Sequence, residues 1–94
     1  MSANHARGEA VVSLEGRPRR LCLTLGALAE LETAFGAAGW EDLAVRLKTL
    51  SAGDLQRVLE ALLRGGGETP GDLSGVSLGE AARAVAAAFT AAGS

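Results

Sequence analysis

Apolar and polar side chains alternate with a period of two from Glu9 to Leu25, which is the pattern of half-buried β-strands. The alternation breaks once, at Gly16 and Arg17. Because glycine supplies the positive φ that opens a type II′ turn, we expect these two residues to join two strands into a hairpin. Pro18 then begins the second strand, where the loss of its N–H is tolerated.

The predicted turn also decides which side chains face each other. It sets Val12 opposite Leu21 and Ala10 opposite Leu23, so both strands turn one apolar face to the same side. A small sheet with one apolar face needs a second layer to cover it.

The period becomes helical after Thr24. The Thr24 hydroxyl can cap the free amides of a first turn, and Gly36 suits the left-handed conformation just past a helix end. Between them we expect a first helix that is locked onto the sheet by one apolar stripe. The stripe consists of Leu25, Leu28, Leu31 and Phe35, with Ala27 and Ala34 beside it.

A second, short helix is predicted to start near Trp40. Asp42 and Arg46 stand four residues apart and can pair on its outer side. Its apolar positions are Trp40, Leu43, Leu47 and Leu50.

A third helix opens at Ser51, where Asp54 completes a pattern like a capping box. Glu60 and Arg64 form an outward i,i+4 pair, and the three glycines at 65–67 end the helix. Its buried stripe is predicted at Leu55, Val58, Leu59 and Leu62.

The last helix follows a loop rich in turn formers at 68–76. Ser77 and Glu80 form an S-x-x-E capping box, and the apolar stripe beyond it is Leu78, Ala82, Val85 and Phe89. The fold class is therefore predicted as α+β, an N-terminal β-hairpin followed by about four helices packed on one face of the small sheet. We expect residues 1–7 to be a flexible tail and residues 8–92 to be a single domain.

Composition narrows the range of functions. Hydrophobic residues make up 48% of the 94 residues and the net charge is −2, which suits a globular fold and gives no field to hold a polyanion. Nucleic acid is therefore not an expected partner. No apolar run is long enough to span a membrane or to form a signal-peptide core, so we expect a cytoplasmic protein.

Candidate catalytic groups are sparse. Glu30 and Glu32 stand two apart on a helix, a spacing that does not let side chains face each other. The single cysteine, Cys22, and the single histidine, His5, fall short of a zinc site, and Cys22 is expected to be an inert, partly buried thiol. The glycines at 65–67 lack the Lys-Ser/Thr that follows a phosphate-binding loop. We expect no catalytic, metal or cofactor site, and no enzyme.

Four residues are candidate partner contacts. Arg17, Arg19 and Arg20 surround the predicted turn, where they form a solvated edge or grip an acidic protein or a phosphate. Trp40 either anchors the second helix in the core or stays exposed as an interface anchor.

One part of the chain resembles a known family. The segments "RGE" at 7–9, "LTLGALAELETAFG" at 23–36 and "LSAGDLQRVLEALLRGGG" at 50–67 resemble the gene transfer agent and phage tail-assembly family of small alphaproteobacterial proteins. The match is good over residues 7–67 and loose over the alanine-rich last helix. Its most specific part is "LTLGALAELE" after a hairpin, with the signature residues Leu23, Thr24, Leu25, Gly26, Leu28, Glu30 and Leu31.

The resemblance implies a role in building a phage-like tail. The family is described either as a tail assembly chaperone or as a tail tube component. A chaperone of this type covers the helical tape-measure protein and helps to deliver tube subunits, so the implied partners are the tape-measure protein and the major tail tube protein. The alternative is a structural subunit of the tube or tail end in the finished particle.

The residues fit such roles. Amphipathic helices and a free strand edge offer two ways to bind a partner, and the high apolar fraction predicts a homo-oligomer. A third hypothesis, a small DNA-associated phage protein acting through the arginine turn, predicts binding with a steep salt dependence.

Overall fold

The computed structural model describes residues 8–93, apart from the side chain of Trp40. It confirms the α+β prediction of a hairpin followed by four helices, with an additional 3₁₀ turn at Leu47–Thr49. The elements are β1 Glu9–Leu14, β2 Arg17–Cys22, α1 Leu25–Phe35, α2 Trp40–Arg46, α3 Ala52–Gly65 and α4 Leu78–Ala92. The predicted tail at 1–7, which includes His5, lies outside the described residues.

The hairpin turns at Glu15 and Gly16, one position earlier than predicted. Both residues have positive φ, 53° and 78°, as a type I′ turn requires. The observed turn pairs Pro18 with Ser13 at a position of the ladder that needs no N–H from proline, whereas the predicted turn would pair Pro18 with Glu15, where an N–H must donate. Pro18 is therefore the second residue of β2 and not the first. Glu15 accepts the left-handed conformation, and its N–H donates to Glu80 Oε2 at 3.3 Å, which ties the turn to α4.

The earlier turn moves the strand partners by two residues. Ala10 pairs with Leu21 and Val12 with Arg19, so the predicted Val12–Leu21 and Ala10–Leu23 pairs are wrong. Because a shift of two keeps each side chain on its own face, the apolar face of the sheet is the predicted one. Leu23 lies beyond the end of β2.

Two helices cover this face. α4 packs along β1 and α3 packs along β2, while α1 packs chiefly on α3 and also contacts α2. The core lies between these layers, and its largest fully buried side chains are Leu21, Leu31, Leu43, Val58, Leu59, Leu62 and Leu63. The predicted α3 stripe is confirmed, and Leu73 from the loop joins the core, which the sequence pattern did not indicate.

The stripe on α1 is only partly correct. Leu31 and Ala27 are buried and Leu28 and Phe35 are partly buried, but Leu25 is 84% exposed. On a helical wheel Leu25 lies about 120° from Leu31, outside the arc that faces α3. Leu25 therefore does not lock α1 onto the sheet, and Ala34, on the far side of this arc, is exposed as well.

The buried face of α4 is rotated by about 90° from the predicted stripe. Val85 and Phe89 are buried as expected, but Leu78 and Ala82 are exposed. The sheet is covered instead by alanines, namely Ala81, Ala84, Ala88 and Ala91. Small side chains let the helix lie close to β1. This close packing favours the orientation in which the alanines face the sheet over one in which the larger Leu78 would face it.

The end of α3 meets the outer edge of β2. Gly65 and Gly66 stop the helix as predicted, with Gly66 as the C-cap residue. They also face the carbonyl oxygens of Cys22 and Arg20, so closely that a Cβ on either glycine would collide with them. These carbonyls belong to residues whose backbone groups point away from β1. The glycine pair therefore covers this sheet edge, a contact we call the glycine seam.

The helix caps follow the predictions. Thr24 Oγ1 accepts from the N–H of Ala27 at 3.0 Å, Gly36 is left-handed, and Ser51 Oγ accepts from the N–H of Asp54 at 3.2 Å. At α4 the capping box is complete, with Ser77 and Glu80 bonding each other's backbone N–H groups.

Replacing Ser77, the residue that caps α4, is expected to lower the stability of the protein. Ser77→Ala is expected to lower the free energy of unfolding by about 1 kcal/mol, because the N–H of Glu80 loses its acceptor. Ser77→Thr keeps an acceptor oxygen and is expected to stay within about 0.5 kcal/mol of the wild type. Urea denaturation of the two variants measures the difference, and an equal loss in both would show that the cap hydroxyl is not responsible.

Candidate protein-binding site

An apolar groove lies on the surface between the α2–3₁₀ segment and α4. Its volume is about 440 Å³, within the range of sites that hold sizeable ligands. Among the described residues, Lys48 is the only charged one in its lining. The other lining residues are Ala44, Leu47, Leu50, Leu55, Leu78, Ala82, Val85, Ala86 and Phe89.

The rotation of α4 creates this groove. Since the alanine face turns to β1, Leu78 and Ala82 of the predicted stripe are left exposed along the groove, and the buried Val85 and Phe89 border it from the core side. Leu78 is 66% exposed at its rim and also borders a smaller hollow of about 180 Å³ beside Leu73 and Val76. The apolar surface is therefore continuous across the start of α4.

The three arginines of the hairpin have different surroundings. The Arg19 side chain is 15% exposed, and its Nε donates to Glu68 Oε1 at 2.8 Å while Nη2 donates to the carbonyl of Thr69 at 2.8 Å. Arg19 thereby connects β2 to the α3–α4 loop. Arg17 and Arg20 are exposed and stay candidate partner contacts.

Arg19 is expected to stabilise the fold where Arg17 does not. Arg19→Ala removes a charge-assisted bond and leaves Glu68 and the Thr69 carbonyl without this donor, so the free energy of unfolding should fall by about 1–2 kcal/mol. Arg17→Ala, an identical change at an exposed site, should stay within about 0.5 kcal/mol. Thermal and urea unfolding compare the two, and equal losses would contradict the assignment.

The backbone of Trp40 begins α2 after Gly39, and its side chain lies outside the described part of the chain. The prediction of a core or interface anchor there therefore stays a prediction.

The signature residues divide between the interior and the surface. Thr24 caps α1, Leu31 is buried and Leu28 is partly buried, whereas Gly26 is exposed. Glu30 pairs with Arg64 of α3, so the predicted Glu60–Arg64 pair is wrong and the carboxylate connects two helices instead. The predicted Asp42–Arg46 pair is confirmed at 3.3 Å.

The altered pKa values of the titratable groups have structural causes. Burial, with a smaller contribution from the nearby charge of Glu9, raises the pKa of the Cys22 thiol, which favours its neutral form. The backbone N–H of Ala38 lowers the pKa of Asp42, and that of Ser74 lowers the pKa of Asp72. Within residues 8–93, no three His, Cys, Asp or Glu side chains gather in a way that would hold a metal ion.

Comparison with known families settles the affiliation. The family model described as "Phage tail tube protein, GTA-gp10" matches residues 7–93. The chain belongs to this family. The predicted resemblance to gene transfer agent and phage tail proteins is thereby confirmed, and the match includes the last helix. Comparison with curated proteins found no match, and neither did comparison with solved structures.

Membership of the GTA-gp10 family indicates the general role of the protein. The chain is a protein of phage-like tails, a structural class rather than an enzyme class, and its partners are other tail proteins. No helix in the described residues is long and apolar enough to cross a membrane.

Sequence patterns missed three features of the site. The groove was missed because Leu78 and Ala82 were expected to be buried, the Arg19 ion pair because its partner Glu68 is 49 residues away, and the seam because a run of glycines indicates only a helix stop. The one available signal was the alanine count in α4, which marks the side that can approach a sheet most closely.

Proposed function

We propose that this protein is a tail assembly chaperone that binds an apolar helix of another tail protein in the groove between α2 and α4. The observation that supports this proposal is the groove itself. The protein buries a core of its own, yet Leu78, Ala82 and Ala86 stay exposed along the groove, and Leu47 and Leu50 beside them are only partly buried. Apolar grooves of this kind bind the apolar face of an amphipathic helix.

The expected partner is the tape-measure protein, with the major tail tube protein as the second client. A long helical protein exposes apolar stripes until the tube surrounds it, so a small protein that covers them during assembly would keep it soluble. The task requires binding and release rather than chemistry, and we place it in the cytoplasm of the producing cell.

Co-expression with each client tests this proposal. We expect the tape-measure protein to copurify with the wild type and to become more soluble in its presence. Ala82→Glu places a charge in the groove at an exposed helical position, so it should abolish copurification without unfolding the protein. Ala34→Glu is the same change at an exposed site on α1 and should bind as the wild type does. Equal binding by both variants would contradict the proposal.

A second candidate function is that of a tube subunit. The family description, which names a tail tube protein, favours it. Quantitative mass spectrometry of purified particles separates the two candidates. A tube subunit is present in many copies, comparable to the other wall components, whereas a chaperone is absent or present in only a few copies.

A further inference from the structure

We infer that the groove is also the binding site for helix α1 of a second copy of this protein, with Leu25 as the inserted side chain. This contact uses the groove of the proposed function but does not depend on a tail partner. It follows from the exposure of Leu25, which the fold of one copy does not explain, from the open surface at Gly26 beside it, and from the charges on the two surfaces.

The first feature is Leu25 itself. It is 84% exposed, the most exposed large apolar side chain among the described residues, although it stands at a capped helix start where polar residues are well tolerated. Ala29, on the same side one turn later, is exposed and small, so Leu25 projects from an otherwise shallow face. A single projecting leucine matches a groove lined by alanine and leucine.

The second feature is Gly26. It follows Leu25 in the helix and is exposed, and a Cβ at Gly26 would meet only the Thr24 hydroxyl oxygen, at 3.9 Å. The surface beside Leu25 is therefore open to close approach by a neighbouring copy.

The charges of the two surfaces are complementary. The charged residues of α1 are Glu30 and Glu32, both acidic, and Glu30 is already paired with Arg64. Glu32 lies on the same side of α1 as Leu25, two turns or about 10 Å further on. Lys48 is the only charge in the groove and has no ion pair among the described residues. Insertion of Leu25 into the groove thus leaves Glu32 free to approach Lys48.

Each copy offers one Leu25 and one groove, so the contact closes as a two-fold dimer or as a ring. Sedimentation velocity over a concentration series reports which of the two forms. We expect the wild type to associate, and we expect Leu25→Asp and Ala82→Glu each to weaken association at least tenfold. Aspartate is favourable in a first helical turn, so Leu25→Asp should remain folded. Ala34→Glu, on the other side of α1, should associate as the wild type does.

Mixing the two defective variants gives the sharpest test. The Leu25→Asp protein keeps its groove and the Ala82→Glu protein keeps its Leu25. A mixture should therefore form a one-to-one heterodimer, whereas each variant alone sediments as a monomer. A mixture that stays monomeric would overturn the inference, as would a wild type that is monomeric at every concentration.

Glycine variants separate association from folding. Gly26→Ala should raise the thermal midpoint at low concentration, where the protein is monomeric, and yet weaken association. Gly53→Ala, in a helix with open space around the added methyl, should raise the midpoint and leave association unchanged. Equal association by both variants would overturn the role assigned to Gly26.

The failure of this inference is distinguishable from that of the proposed function. If Leu25→Asp still copurifies with the tape-measure protein while the wild type does not self-associate, the groove binds the client alone and the inference is wrong. If the mixture forms heterodimers but no tail protein copurifies, the proposed function is wrong and the inference stands.

Discussion

Gly66→Ala is expected to lower the free energy of unfolding by about 3 kcal/mol, a large part of the stability of a small domain. The φ of Gly66 is −83°, which any residue adopts, so the backbone conformation is not the cause. The cause is the carbonyl of Arg20, which occupies the space that a Cβ would need. Because both partners are backbone, neither can rotate away, and α3 or β2 must shift.

The neighbouring positions serve as controls for this change. Gly65→Ala meets the Cys22 carbonyl in the same way, but it gains up to about 1 kcal/mol of helix propensity and should lose correspondingly less. Gly53→Ala, on the same helix with nothing within 4 Å of the added methyl, should gain about 0.5–1 kcal/mol. Urea denaturation measures all three. If Gly66→Ala were as harmless as Gly53→Ala, the close contact at the glycine seam would be refuted.

Leu31→Ala is expected to cost about 3 kcal/mol, while Leu25→Ala on the same helix should stay within about 0.5 kcal/mol. Leu31 is 1% exposed and its removal leaves a cavity beside α3, whereas Leu25 is surrounded by solvent in the single copy. The two changes delete identical atoms and differ only in burial. Both should be measured by denaturation at a concentration where the protein is monomeric.

The outcome of the leucine pair decides how α1 is oriented. Two similar losses would mean that α1 is rotated so that both leucines face the core, as the predicted stripe requires. A large loss for Leu31 alone would support the observed orientation, with Leu25 directed away from α3.

The elements could be predicted from the sequence because their signals are local. Thr24, Ser51 and Ser77 mark helix starts through bonds to amides three residues away, and Gly36 marks an end through its own φ. The strands follow from alternation over a few residues. Such signals do not depend on what packs where, which is why the hairpin and the four helices were predicted in the right order.

Which side of each element faces the core could not be predicted, because it depends on how closely the elements approach one another. For the turn, Gly16 suits either turn type, and Glu15 becomes the other turn residue because this register spares Pro18 from donating an N–H to β1. For α4, a pattern based on large apolar side chains predicts that Leu78 is buried and Ala84 is not. In the structure the reverse holds, because a helix that lies close to a strand has room only for alanine between them. The groove is a direct result of this choice, so it could not be predicted either.

Charge pairs could be predicted only within one helix, for a related reason. The Asp42–Arg46 pair was predicted because both residues lie on one helix. Arg64 had Glu60 within reach on its own helix but pairs with Glu30 across α1 and α3, and Arg19 pairs with Glu68 across 49 residues. Such pairs form because folding brings the chains together, and spacing along one element gives no sign of them.

The glycine seam also has a consequence for synthesis on the ribosome. An isolated two-stranded hairpin has only marginal stability in water. Here Gly65 and Gly66 cover the outer edge of β2, and β1 is covered by α4, which ends at residue 92. The hairpin precedes both of these elements in the chain, so it leaves the ribosome before the residues that stabilise it. Until α3 and α4 have been synthesised, we expect the nascent hairpin to be open to proteases and to other strands.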